Sequence, residues 1–330
     1  MNSLGTFFKI QIFGESHGPA VGVVIDGCIA GIAICEEDFN FDLERRKPNQ
    51  VGTTPRKEED QPNILSGIFQ GKTTGAPLTI IFANNNIRSA DYEKQQDTPR
   101  PGHADFVLQQ KYKGFNDYRG GGHSSGRLTV ALVAGGVVAK KMIGSLAPTI
   151  SIKANLSEAG GNKDIEAAVA KAIKEQDSIG GIVSCHVEGL PIGLGEPFFD
   201  SVESLISHAV FAIPAVRGIE FGSGFEAAKM KGSEHNDAII NAIGETATNH
   251  AGGINGGITN GNTLSFKVAI KPTSSTPQEQ QSWNNSTQKI EPFRVKGRHD
   301  LCIALRAPVV VESVTAMVLA DLLLVKNSRD

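Results

Sequence analysis

Four short polar stretches hold residue types that move protons or grip anions, and each lies beside glycine or proline rather than on a plain charged surface. The first, Phe13-Gly14-Glu15-Ser16-His17-Gly18, follows an apolar run and sets a Ser-His pair in a turn between two glycines. An imidazole there suits proton transfer near neutral pH. The alternative is a turn histidine satisfied by backbone groups, and neighbouring Ser and His are no hydrolase signature, since adjacent side chains need not face one another. The second, Arg100-Pro101-Gly102-His103-Ala104-Asp105, ends an extended segment. Asp105 is expected to cap the helix that follows, which holds His103 at the junction. Here the alternative is a capping Asp beside an incidental His.

The third stretch, Arg119-Gly120-Gly121-Gly122-His123-Ser124-Ser125-Gly126-Arg127, runs from a glycine loop into an apolar helix. Free amides at that helix start, together with two guanidiniums, would form an anion site; a flexible loop is the competing reading. It is neither a Walker loop, lacking the Gly-Lys-Ser/Thr ending, nor a dinucleotide fingerprint. The fourth group is C-terminal: Asn249-His250-Ala251-Gly252-Gly253, Lys271-Pro272-Thr273-Ser274-Ser275 and Gly297-Arg298-His299-Asp300. Lysine, hydroxyls and arginine between glycine turns suit a phosphate-bearing ligand. Arg45, Arg46, Lys47, Arg56 and Arg88 add positive charge, although a solvated surface accounts equally for many of these.

Such residues need a scaffold. Short β-branched or alternating runs at 8–13, 21–25, 78–82, 181–187 and 264–270 read as strands. Amphipathic or wholly apolar helical spacing appears at 37–47, 105–112, 125–143, 163–176, 199–212 and 310–326. The order lacks a regular strand-helix-strand rhythm, which favours an α+β fold over a doubly wound sheet. The stretch 274–291, rich in Ser, Thr, Gln and Asn, reads as an exposed loop, and residues 1–330 as one domain.

Charge narrows the function. Among 330 residues, 32 Lys and Arg oppose 35 Asp and Glu, which argues against a nucleic-acid or polybasic membrane binder. Hydrophobic residues at 40% suffice for a large core, and the 37 glycines signal turns and close backbone approach. Four cysteines form no Cys-x-x-Cys pair and no metal cluster with the histidines, so a reducing cytoplasm is expected and no metal. No leader pattern and no 18-residue apolar stretch are recognised, so neither signal peptide nor membrane span is expected.

Taken together and in order, FGESHG, RPGHAD, RGGGxSSxR, NHAGG, KPTSS and GRHD resemble the chorismate synthase family, and the likeness spans Phe13 to Glu312. The resemblance implies a β-α-β sandwich, usually a homotetramer. It would bind reduced FMN and convert 5-enolpyruvylshikimate 3-phosphate into chorismate and phosphate by a 1,4-anti elimination in aromatic amino acid biosynthesis. NADPH is the candidate reductant. A tetramer is also expected because the apolar segment 309–325 offers more hydrophobic surface than one chain covers.

By the same resemblance, His17 is the acid assisting the departing phosphate. His103 protonates or hydrogen-bonds the flavin near N1, and Asp300 sits near N5 and helps it accept the substrate proton. Ser16 and Ser124 orient water or the histidines. FMN is assigned to His123, Ser124, Ser125, Pro214, Ala215, Gly256, Lys271, Pro272, Thr273, Ser274, Ser275 and Arg298, and the substrate's anionic groups to Arg45, Arg46 and Arg127. The chain departs from the family pattern at His123, Gly126, Leu128, Pro214 and Leu301, where Arg, Ala, Glu, Asn and Pro are usual. It also looks one residue short between Pro48 and Thr54, and Gly52 lies near a common arginine. A non-catalytic flavin or phosphoanion binder of the same fold is the alternative of a different class; a flavin reductase lacks a dinucleotide fingerprint.

Overall fold

The computed structural model describes residues 2–54, 59–85, 97–295 and 299–329. The N-terminal part contains β1 (Ser3–Leu4), β2 (Lys9–Gly14), β3 (Ala20–Asp26), α1 (Asn40–Arg46), β4 (Asn63–Ser66), β5 (Ile68–Phe69), β6 (Lys72–Thr73) and β7 (Leu78–Ala83). The middle follows with α2 (Asp105–Lys111), α3 (Thr129–Leu146), β8 (Ser151–Ala159), α4 (Ile165–Glu175), β9 (Gly181–Glu188), α5 (Val202–Val210) and β10 (Val216–Phe221). The C-terminal part adds α6 (Gly232–His235), β11 (Ile254–Asn255), β12 (Ile258–Thr259), β13 (Leu264–Ile270), β14 (Gln280–Asn284), β15 (Lys289–Phe293) and α7 (Ala307–Asn327).

Two antiparallel sheets enclose helices. The first has the order β1-β2-β3-β7-β4 and the second β10-β13-β9-β8. Alternation sets one face of each inward: Val21, Val23 and Ile25 pair with Phe82, Ile80 and Leu78, and all six are fully buried. In the second sheet Val183, Cys185 and Val187 pair with Val268, Phe266 and Leu264 in the same way. Helix α3 packs on β3 and β7, α7 packs on β8 and β9, and the two helices pack on each other. This is the β-α-β sandwich and α+β class expected from the sequence.

Helices α3 and α7 are apolar on nearly every side, as buried helices are. Segments Arg119–Leu146 and Ile303–Asn327 are apolar and long enough to cross a membrane by composition, contrary to the sequence expectation, but 72% and 78% of their apolar windows lie inside the fold. The same burial removes the reason given for a tetramer, because Val309 to Leu323 are covered by this chain's own sheets and helices. The helices meet at Gly136, where a Cβ would lie 2.3 Å from Ser313 Cβ and 2.5 Å from its Cα.

Polar groups brace the layers. Glu312 on α7 accepts both Arg45 terminal nitrogens at 2.7 Å, the Ala154 amide at 2.8 Å and Lys140 Nζ at 3.2 Å. Asp321 accepts the amides of Thr6, Phe7 and Phe8 at 2.7–2.8 Å, fastening the entry to β2 onto α7. The supposed loop 274–291 instead contains most of a hairpin, β14–β15, with Trp283 opposite Ile290. Its polar, half-exposed strands carry no apolar alternation, which is why periodicity misses it.

Candidate active site

A cavity of about 1030 Å³ opens where the first-sheet turns, the glycine loop and the segment after β13 converge. The first and third sequence stretches are zipped together at its wall. The Ser16 amide donates to the Gly122 carbonyl at 3.1 Å, and His123 Nδ1 lies 2.7 Å from the Gly14 carbonyl. Gly120, Gly121 and Gly122 all adopt positive φ, with values of 61°, 88° and 52°. A side chain at Gly120 would place Cβ 2.4 Å from His17 Cε1; one at Gly121 would place it 3.3 Å from His103 Cε1. The triplet therefore seats both histidines rather than forming a slack loop.

His17 is 5% exposed, and it lies behind Gly120 and Ser16 rather than on the cavity lining. Ser16, His103 and Asp300 do line it, as do His123, Ser124 and Ser125. His123 Nε2 is 3.2 Å from Asn2 Oδ1, so both ring nitrogens have protein partners.

Asp105 departs from its expected role, since Ala104 occupies the N-cap of α2. Its carboxylate lies 2.6 Å from His103 Nδ1 and accepts from Arg100 Nε at 2.7 Å and Nη2 at 2.8 Å. Burial pushes the Asp105 pKa up, but the hydrogen bonds from Arg100 and His103 bring it far below the usual carboxylate range. An ionised Asp105 fixes the proton of His103 on Nδ1 and leaves Nε2 as the ring's other functional atom. Arg100 also donates from Nη1 to Ser275 Oγ at 3.2 Å, and Ser274 Oγ donates to the Gly102 carbonyl at 2.7 Å. The second stretch and Lys271 to Ser275 thus form one wall.

Lys271 donates to Ser274 Oγ at 2.7 Å. Burial lowers its pKa, and nearby Arg217, also on the lining, adds to the effect. Pro214 and Ala215 line the same end, as do Pro272 and Thr273. Asp300 accepts from the Thr54 amide at 2.9 Å and from Arg306 Nη1 at 3.1 Å, and Arg306 Nε donates to the Arg46 carbonyl at 2.7 Å.

The lining also holds Arg46 and Arg127, 3% and 7% exposed, on either side of Asp60. Arg46 Nη2 lies 2.5 Å from Asp60 Oδ2, and Arg127 Nη1 donates to Oδ1. Burial raises the Asp60 pKa, but the two guanidiniums outweigh it and bring the value down to about 2. Arg127 Nε donates to Asn84 Oδ1 at 2.9 Å, and Asn84 Nδ2 donates to the Glu15 and Gly18 carbonyls, tying the arginine to the His17 turn.

Arg45 is not on the cavity lining, because its guanidinium is paired with Glu312 and Asp42. Gly256, in the β11–β12 turn, is also off the lining, and Arg298 lies outside the described residues. His250 of NHAGG pairs with Ser223 Oγ at 2.8 Å, away from the lining. Sequence reading missed Asp60, Asn84, Arg217 and Arg306. Asp60 closes the run Glu58-Glu59-Asp60, which reads as solvated charge, and the others belong to no recognisable motif.

A family profile described as chorismate synthase matches residues 8–324. The chain belongs to the chorismate synthase family. A chorismate synthase of Chitinophaga pinensis is 65% identical over 99% of this chain and 98% of its own length. One from Dehalococcoides mccartyi is 44% identical, covering 98% and 96% respectively. A crystal structure of chorismate synthase superimposes with a TM-score of 0.75 at 26% identity, over 98% of this chain and 93% of that one. The chain is therefore an enzyme with chorismate synthase function, a lyase of aromatic amino acid biosynthesis. Chorismate synthase chemistry implies a small-molecule substrate and reduced flavin.

Proposed function

We propose that this cavity binds reduced FMN together with 5-enolpyruvylshikimate 3-phosphate and catalyses the 1,4-anti elimination of phosphate to give chorismate. The observation that carries this reading is the convergence of His103, Asp300, Lys271 and the Arg46–Arg127 pair on one cavity of about 1030 Å³. That volume lies at the top of the usual ligand-pocket range of roughly 300–1,000 Å³. Two buried atoms of lining residues, Arg46 Nε and Thr273 Oγ1, have no hydrogen-bond partner among the described residues, as befits donors awaiting an anionic ligand. The residues present fit an anionic flavin.

Reduced FMN supplies an electron-rich ring for breaking a C–H bond that lacks a strongly acidic proton. Lys271, Thr273, Ser274 and Ser275, with His123, Ser124, Ser125, Pro214 and Ala215, would hold it. Asp105 keeps His103 oriented with Nε2 available for a proton or hydrogen bond at the flavin. Asp300 stands ready to help receive the substrate proton, oriented by Thr54 and Arg306. Arg46 and Arg127 hold the substrate's anionic groups, and preorganised charge of this kind stabilises a leaving phosphate. His17, the proposed acid, sits behind Gly120 and beside Ser16, one layer back from the cavity lining.

We read residues 1–330 as one domain, since the buried helices serve both sheets. Homotetramer assembly finds support in exposed large side chains, among them Phe198 at 87%, Phe199 at 92% and Phe225 at 80%. Four free cysteines, three of them buried, agree with a reducing cytoplasm. NADPH is the proposed reductant, and anaerobic NADPH oxidation by the FMN-loaded enzyme tests whether the chain reduces its own flavin. The central test is phosphate release from 5-enolpyruvylshikimate 3-phosphate. Release that requires chemically reduced FMN supports the reading, and binding without release would leave the non-catalytic alternative.

A further inference from the structure

We propose that Asp60 is a positioning residue: its carboxylate, buried in the cavity wall between them, fixes the Arg46 and Arg127 guanidiniums at one spacing and presents them as a pair to the anionic groups of the substrate. The proposal rests on the assignment of those two arginines to the substrate. The Asp60 side chain is 0% exposed, and those of Arg46 and Arg127 are 3% and 4% exposed. Each arginine takes a different oxygen of the one planar carboxylate, Oδ2 for Arg46 and Oδ1 for Arg127, so the carboxylate's own dimensions dictate their separation.

The rest of the frame is built to match. Arg46 Nη1 lies 3.3 Å from Thr129 Oγ1, while Arg127 is held by Asn84 Oδ1 and, from Nη2, by the Ala83 carbonyl at 3.3 Å. Without Asp60 the two like charges would repel across a desolvated wall, a costly arrangement. With it, three charges sum to +1, so the pair keeps a net attraction for an anion. Asp60 itself sits at φ 51°, in the left-handed region that Asp tolerates better than most side chains. A residue held in that conformation inside a functional wall is a fixture of the site rather than a stray surface acid.

An opposing role is conceivable from the same contacts: an internal anion that the substrate must displace. Its full burial and its simultaneous grip on both guanidiniums argue against it, since a displaced Asp60 carboxylate would be left buried without a partner. The two roles predict opposite signs. Removing a competitor tightens anion binding, whereas removing a positioner weakens it.

The decisive variant is Asp60→Glu, which keeps the charge and shifts the carboxylate by one methylene; Asp60→Asn is its companion. Each is compared with wild type as the full-length, FMN-loaded protein. Steady-state kinetics under anaerobic conditions and calorimetric binding of inorganic phosphate are both measured. For Asp60→Glu we expect KM for the enolpyruvyl substrate to rise about 10- to 100-fold, the scale of a misplaced positioning group. The kcat should change far less, FMN affinity should stay within about twofold, and phosphate should bind at least about tenfold more weakly. Wild-type KM and phosphate affinity in a folded Asp60→Glu protein would overturn the proposal, as would tighter phosphate binding by Asp60→Asn. If wild type releases no phosphate from the enolpyruvyl compound, the substrate reading falls, and the inorganic-phosphate arm still decides the role of Asp60.

Discussion

Single side chains in this molecule divide by what their neighbours demand of them. His17 is wedged against Gly120, and its replacement by Ala should cut turnover by roughly 10²- to 10⁴-fold, the cost of a lost general acid, while FMN affinity measured by fluorescence titration barely changes. Near-normal turnover would remove it from the mechanism. Glu312 illustrates a buried carboxylate serving structure alone. Burial raises its pKa, but the Arg45 pair, Lys140 and the Ala154 amide together hold it below its ordinary 4.5. Because the folded value is the lower one, its contribution is complete above about pH 4.5 and is lost as pH falls through the folded pKa. Glu312→Gln should therefore cost about 3–5 kcal/mol at pH 7, as for a broken buried ion pair, and show a shallower loss of stability than wild type below pH 4.5 in urea titrations. The sequence makes His17, His103 and Asp300 conspicuous because glycine and proline punctuate them. It hides Asp60 and Arg306, whose importance depends on partners far away in the chain, and it offers Arg45 and Arg46 as equals although their side chains leave α1 in different directions.

Elements were legible where burial imposes a period. Strands β2, β3, β7, β9 and β13 alternate because one face meets the core, and α3 and α7 are apolar because both have neighbours on nearly every side. Strands β14 and β15 escape such reading because neither of their faces is buried, and β8 and β10 because their half-buried residues break the alternation. The contact between α3 and α7 also carries a prediction. Gly136→Ala places a methyl 2.3 Å from Ser313 Cβ, closer than packing allows, so the helices must move apart. Overpacking of this kind costs about 1–3 kcal/mol or more. Differential scanning calorimetry should record a lower Tm, whereas Gly126→Ala, where a Cβ meets nothing within 4 Å, should leave Tm nearly unchanged. An unaltered Tm for Gly136→Ala would mean that the crossing is looser than described.

For the molecule as a whole, the exposed Phe198, Phe199 and Phe225 bear on the proposed assembly. Light scattering at micromolar concentration is expected to give a tetramer, and Phe198→Ser with Phe199→Ser is expected to shift it toward smaller species; a stable wild-type monomer would contradict this. The sandwich also has a history written into its layering. All described strands precede α7 in the chain, yet α7 fills the space against the second sheet and its Asp321 fastens the entry to β2. During synthesis at about 5–20 residues per second, roughly 15–60 s separate the appearance of β3 from that of α7. The first sheet gains α3 early, but the second sheet, whose strand β13 ends at Ile270, must wait for α7 with an apolar face uncovered, which makes the nascent chain a natural client of holding chaperones. Ribosome-bound chains should become fully protease-resistant only once the helix beginning at Ala307 has cleared the exit tunnel, so that this late helix sets when the second sheet becomes safe.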